Sequence, residues 1–390
     1  MIYARIIRWV VNIMLMLSGF VGFGQFHCEF QPASSDVFEI SEEGSGSTAS
    51  ETVNTEKNYI DSVFAGWGSQ VMPSVGEVRF PVFLVEFQDV KFNRNMVGLS
   101  ELEDWIFGEK DSVAQYYDIS SYGRLHIDGD VYYYEAKENI GEYEEDRELE
   151  NLIMEILRYY EEKVDFSQYD KNGDSVMDSL VISVPTGGDA DFWWGSQHTW
   201  FWNRRFQVDG LRISGYIVND EQPYKAEKQY YLGTLEHELG HCMGLPDYYK
   251  YEYTGSDWEG FRGIAGMERM DDSEGDFCQF SKLQLGWLTK EQVQIMPSDV
   301  ERASFFLPPV KEGGCVVIFP RGKYSSRRPN FQGEYFVVEY NTPEGLLKGL
   351  FGRGGVRMFH VQAQVTRQAG YYDYRYSNFS EEYDNSNEGV

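Results

Sequence analysis

Residues four apart on a helix project from one face. In the stretch 234–249, TLEHELGHCMGLPDYY, His237 and His241 are so spaced, and both imidazoles can reach one metal ion. Glu238 sits beside the pair, where its carboxylate can take a proton from water on the metal. This is the H-E-x-x-H arrangement that holds zinc. A zinc ion that does chemistry needs a third protein ligand and an open fourth position. Gly244 can take positive φ and end the helix, Pro246 stops it from resuming, and Asp247 follows six residues after His241. A chain turning back at Gly244 would bring the Asp247 carboxylate to the ion. Two histidines on one helix face can also be ordinary hydrogen-bonded core residues. The Gly-x-Pro-Asp continuation weighs against that plainer reading.

The run HELGHCMGLPD resembles the metzincin motif with Asp as third ligand, and more closely the immune inhibitor A family of secreted zinc metallopeptidases. FLVEFQDV and QYYDISSYGRLHIDGDV are similar to the family's strand and serine-tyrosine-glycine segment, and SKLQLGWL to its lysine-x-x-leucine-glycine-tryptophan helix ending. EYFVVEYN and GRGGVRMFHV resemble its C-terminal portion, so the likeness spans about residues 76–365. The resemblance implies a methionine turn beneath the zinc. Met270 is the choice for it, with Met267 as runner-up, and its role is a soft floor under the histidines.

The expected fold is α+β: a zincin-like catalytic domain with a mixed sheet and the zinc helix, then a β-rich C-terminal portion. The expected divisions are a signal peptide over 1–24, an acidic low-complexity linker or pro-segment over 25–75, the peptidase domain over 76–297, and a β-rich extension over 298–390 with a mobile tail. Arg5 and Arg8 precede an apolar run from Val10 to Val21, the layout of a secretory signal rather than a span of roughly 20 apolar residues. Export and a secreted product follow, with no integral span after signal removal. The net charge of −29 argues against nucleic acid or anionic membrane as partner and slightly favours neutral or basic substrates; the resemblance implies protein or peptide substrates. Four cysteines, Cys28, Cys242, Cys278 and Cys315, are too few for a disulfide framework in a chain of 390 residues; Cys242 is read as packing.

Strands are expected at VRFPVFLVEF, with Pro81 placing that end at an edge, and at RLHIDGDVYYY. Helices are expected at SELEDWIFG and DSVAQYYDISS, capped by Ser100 and Asp111, and over Arg147 to Val164, with Leu149, Leu152, Ile153, Ile156 and Leu157 in one stripe. In DKNGDSVMD, Asp170, Asn172, Asp174 and Asp178 take positions 1, 3, 5 and 9 of an EF-type calcium loop, with the Val176 carbonyl at position 7. Ser175 replaces the usual glycine and Val181 the usual glutamate, so a plain Asx-rich turn stands as the alternative. His198 and His360 are read as packed residues outside the zinc shell.

The chemistry expected is peptide hydrolysis: His237, His241 and Asp247 hold Zn²⁺, Glu238 is general base and then acid, and Tyr248 or Tyr249 assists the oxyanion. Two rivals carry the same ligands: a surface adhesion or binding module with catalytically silent zinc, and a zinc hydrolase of non-peptide bonds.

Overall fold

The computed structural model describes residues 26–29, 71–93, 95–143, 146–185, 196–199, 203–220, 223–245, 247–248, 268–272, 275–296, 300–319, 333–350, 352–363, 365–367 and 374–376. Residues 1–25, where the signal peptide is expected, those beyond 376, Pro246, Tyr249 and Met267 lie outside the described residues.

Strand β1 (Phe26–Glu29) pairs antiparallel with a later strand, Ser304–Leu307. The central sheet begins with β2 (Gly76–Glu86). Helices α1 (Leu99–Phe107) and α2 (Val113–Ser120) then lead to β3 (Leu125–Glu135) and α3 (Asp146–Tyr160). Next come β4 (Val181–Ser183), β5 (Ser196–Thr199), the short pair β6 (Gln207–Val208) and β7 (Leu211–Arg212), and β8 (Gly215–Asn219). The sheet order is β3-β2-β4-β8-β5, parallel except for β5, which runs antiparallel at the edge.

Strand β2 is buried on both faces, which is why it reads as a nearly continuous apolar run. Val78, Phe80, Val82 and Leu84 face a core shared with α1 and α2, while Phe83, Val85 and Phe87 face the stripe of α3. That stripe comprises Leu149, Leu152, Ile153, Ile156 and Leu157, all buried as the periodicity predicts. The Pro81 end is paired with β3 alone, because the β4 ladder begins at Val82.

Helix α4 (Lys228–Cys242) lies on the first face of the sheet and is buried on nearly every side, packing against β8, β5, α1 and α2. A helix enclosed in this way shows no clean amphipathic stripe. Beyond it come α5 (Arg269–Asp272) and α6 (Gln279–Gln284), then a second sheet. Its strands are β9 (Val293–Met296), β11 (Cys315–Ile318), β12 (Gly333–Asn341) and β13 (Gly355–Ala363), in the order β13-β12-β11-β9, and β10 (Ser304–Leu307) is the partner of β1. Trp287 and Phe280 share one core with Val317, Tyr335, Val337 and Val361, so the second sheet closes over the α4 side of the molecule. The architecture is mixed α/β with separate sheets, compatible with α+β. Among the described residues no helix is long and apolar enough to cross a membrane.

Three expectations need correction. Ser100 lies inside α1, whose N-cap is Gly98 in an extended conformation, with Glu101 in the first turn to meet the helix dipole. Asp111 does not cap α2. Ser112 does, its Oγ accepting the Gln115 N–H at 3.0 Å, while Asp111 turns the chain at φ +48°. Third, order starts before residue 76: Val71 and Met72 donate their N–H groups to the Cys242 carbonyl at 2.9 and 3.0 Å, and Met72 is buried. These residues satisfy the exposed carbonyl end of α4, a need that composition does not reveal.

Candidate metal centre

Helix α4 ends in a Schellman turn. Gly244 adopts φ +100°, its N–H reaches the His241 carbonyl at 2.9 Å, and the Leu245 N–H reaches the Gly240 carbonyl at 3.1 Å. The reversal brings Asp247 back beside the two histidines. Asp247 Oδ1 lies 2.9 Å from His237 Nε2 and 3.2 Å from His241 Nε2, and the two Nε2 atoms are 3.1 Å apart. A carboxylate oxygen of Glu238 lies within 4.8 Å of one ring nitrogen of each histidine. All four side chains are largely buried; His241 is the most open, at 18%.

The tautomers follow from the outer partners. His237 Nδ1–H donates to the Arg269 carbonyl at 2.8 Å and His241 Nδ1–H to the Leu245 carbonyl at 2.7 Å. A carbonyl can only accept, so the neutral form of each ring carries its proton on Nδ1 and turns a bare Nε2 inward. Two nitrogen lone pairs and a carboxylate oxygen thus face one another at 2.9–3.2 Å. Ligands about 2.0–2.1 Å from a tetrahedral zinc lie about 3.3 Å apart. The donor set and its spacing therefore fit a divalent cation with nitrogen and oxygen ligands.

Without a cation, a proton takes that place. Burial works against a charged His241, yet the Asp247 carboxylate pushes its pKa up to about 9. Burial raises Asp247, but the positive charge of His241 and its hydrogen bond hold it well below the usual carboxylate range. Glu238 is raised by burial against the pull of both histidines, and it also accepts the backbone N–H of Gln197 on β5.

Sequence reading missed most of what surrounds these residues. Arg269, whose carbonyl fixes His237, sends its side chain to Glu236 at 2.7 Å and to the Tyr116 hydroxyl at 3.1 Å. Met270 is fully buried against α4, where a Cβ added to Gly240 would meet its Sδ at 2.5 Å. Tyr248 is corrected. It is 3% exposed and its hydroxyl lies 2.8 Å from Ser281 Oγ, so it faces the core and cannot serve an oxyanion. Glu268 and Arg269, the two residues before Met270, both make buried contacts there.

His198 stacks on Tyr216 at 5.0 Å and contacts Ser196 Oγ at 2.8 Å, and His360 stacks on Phe336 at 4.8 Å; both are packed residues, as read. Cys242, Cys278 and Cys315 are free thiols in the core.

In the loop 170–178, Asp170 accepts three backbone N–H groups, from Gly173, Asp174 and Ser175, and Asp174 Oδ1 accepts that of Val176. The Asn172 amide donates to Asp174 Oδ2 at 3.0 Å. These are bonds of an Asx-rich turn. Asp178 differs: it is 2% exposed, its Oδ2 accepts the Arg79 and Lys171 N–H groups, and its Oδ1 is buried with no hydrogen-bond partner.

No family model matches the chain, and no curated protein matches it.

Proposed function

We propose that this chain is a secreted zinc-dependent endopeptidase of the zincin type, similar to the immune inhibitor A peptidases, with His237, His241 and Asp247 as zinc ligands. The observation that carries the reading is the convergence of two bare imidazole nitrogens and a carboxylate oxygen within 3.2 Å, with Glu238 alongside. Zinc bound there supplies a Lewis acid that acidifies water and polarises a carbonyl.

The chain's own residues do the rest. Glu238 accepts a proton from the attacking water and delivers it to the leaving amine. Burial raises its affinity for that proton, which suits a group that must hold it between two steps near neutral pH. The Gln197 N–H holds one side of its carboxylate, tying the base to β5. Among the described residues β5 has β8 on one side and no strand on the other. An extended peptide added along that edge would lie next to Glu238, which favours a peptide over a small ester or amide. Asp247 lowers the charge of the centre relative to three neutral histidines, so moderate Lewis acidity is expected.

The purified protein should contain about one zinc per chain and digest casein, with activity lost to a chelator and restored by zinc. Digestion indifferent to chelation would sink the proposal. Zinc without proteolysis would point to the silent binding module, and cleavage of small esters alone to the non-peptide hydrolase.

A structural calcium ion at Asp170, Asn172, Asp174, the Val176 carbonyl and Asp178 is the second part of the proposal, supported by the unpartnered Asp178 Oδ1. Burial pushes the Asp178 carboxyl up to about 6, with Asp170 and Asp174 adding to the rise. A raised carboxyl pKa means that the neutral form suits the fold. Its contribution is present below the ordinary value near 4 and is lost as pH rises through about 6. Calcium should therefore raise the melting temperature more at pH 8 than at pH 5, and Asp178→Asn should remove most of that difference. Melting curves indifferent to calcium at both pH values would leave a plain Asx turn.

A further inference from the structure

We propose that Tyr248, Ser281 and Glu268 form a hydrogen-bonded relay that positions Asp247 for zinc, an inference that rests on the function proposed above. Asp247 sits on a loop, and its side-chain direction depends on where the following residue is held. Tyr248 is held twice. Its N–H donates to the Met270 carbonyl at 2.9 Å, and its hydroxyl meets Ser281 Oγ at 2.8 Å.

The relay has a direction. Glu268 is fully buried, and its carboxylate can only accept when ionised. Ser281 O–H donates to Glu268 Oε1 at 2.6 Å, so Ser281 Oγ receives the Tyr248 O–H. The other Glu268 oxygen accepts the Met270 N–H, and Oε1 also takes the Cys278 N–H at 3.2 Å. Glu268 thus binds both ends of the device: the backbone of Met270, which holds Tyr248 by its amide, and the serine that holds Tyr248 by its hydroxyl.

The two residues that follow Glu268 reach the other ligands. The Arg269 carbonyl fixes the His237 ring, and the Met270 side chain packs under Gly240, the neighbour of His241. One short segment, 268–270, therefore supports all three proposed ligands. A wholly buried carboxylate is costly unless its lone pairs are filled, and an apolar residue would pack this core at lower cost. A carboxylate kept with its acceptor sites engaged argues for geometry over bulk stability.

Groups that orient metal ligands commonly change metal affinity by 10–100-fold when removed. Zinc dissociation constants measured by competition with a chromophoric chelator test the proposal. Tyr248→Phe removes one oxygen and keeps the ring, and Ser281→Ala breaks the relay at its middle. Each should weaken zinc by about 10–100-fold, and the double variant should be no weaker than the worse single one, because both cut the same chain. Melting of the metal-free proteins gives the structural baseline. Zinc affinity within two-fold of the original in Tyr248→Phe overturns the relay, whatever the metal-free melting temperature does. If Ser281→Ala fails to fold, Tyr248→Phe alone decides. An unaltered protein that takes up no zinc overturns the proposed function and this inference together; one that binds zinc but cleaves nothing overturns the function and leaves the relay to the variant affinities.

Discussion

Glu238→Gln should reduce casein digestion by about two to four orders of magnitude, the range of a lost general acid–base group, while zinc content stays near one per chain. Glutamine keeps the shape of glutamate and an oxygen that can accept the Gln197 N–H, so the link between α4 and β5 survives. It cannot take up a proton. The three proposed ligands, His237, His241 and Asp247, are untouched, so a fall in zinc occupancy would mean that Glu238 belongs to the metal shell. Digestion at the original rate in a sample free of other peptidases would remove it from the chemistry.

The second large effect concerns stability. Lys282 is 1% exposed and its Nζ lies 2.6 Å from Asp276 Oδ2, with the Tyr122 hydroxyl at 3.3 Å; Asp276 is 5% exposed and also accepts the Ser120 hydroxyl. The pair joins α6 to α2 beneath the second sheet. Lys282→Met leaves a carboxylate in the core without its counter-charge, at a cost of about 3–5 kcal/mol. Lys282→Met/Asp276→Asn removes both charges and should recover most of the loss, because desolvation cancels much of the gain from a buried ion pair. Urea midpoints of the single and double variants measure this. Equal losses in both would mean that packing of the lysine stem, rather than the orphaned charge, sets the cost.

The meeting of His237, His241 and Asp247 was legible because its geometry is local. Four residues along a helix align His237 with His241 whatever the surroundings, and a Gly two residues before a Pro reverses the chain within one turn. The Schellman bonds of Gly244 and Leu245 then return Asp247 to the ring nitrogens. The α3 stripe and the buried run of β2 were legible for the same reason, since 3.6- and 2-residue periods are properties of the backbone.

Tertiary structure decided everything that acts across distance. Arg269 lies 32 residues from His237 and Ser281 33 from Tyr248, and no spacing rule links them. The core alone turns Tyr248 inward, away from the oxyanion role its position suggested. It also sets β5 antiparallel beside Glu238, and folds residues 71–72 onto the end of α4. Ser112 in place of Asp111 at a helix start is the same lesson at small scale: either residue type can cap, and the path of the chain selected one. Residue types within a turn determine which atoms can bind; burial of distant apolar surface determines which of them meet.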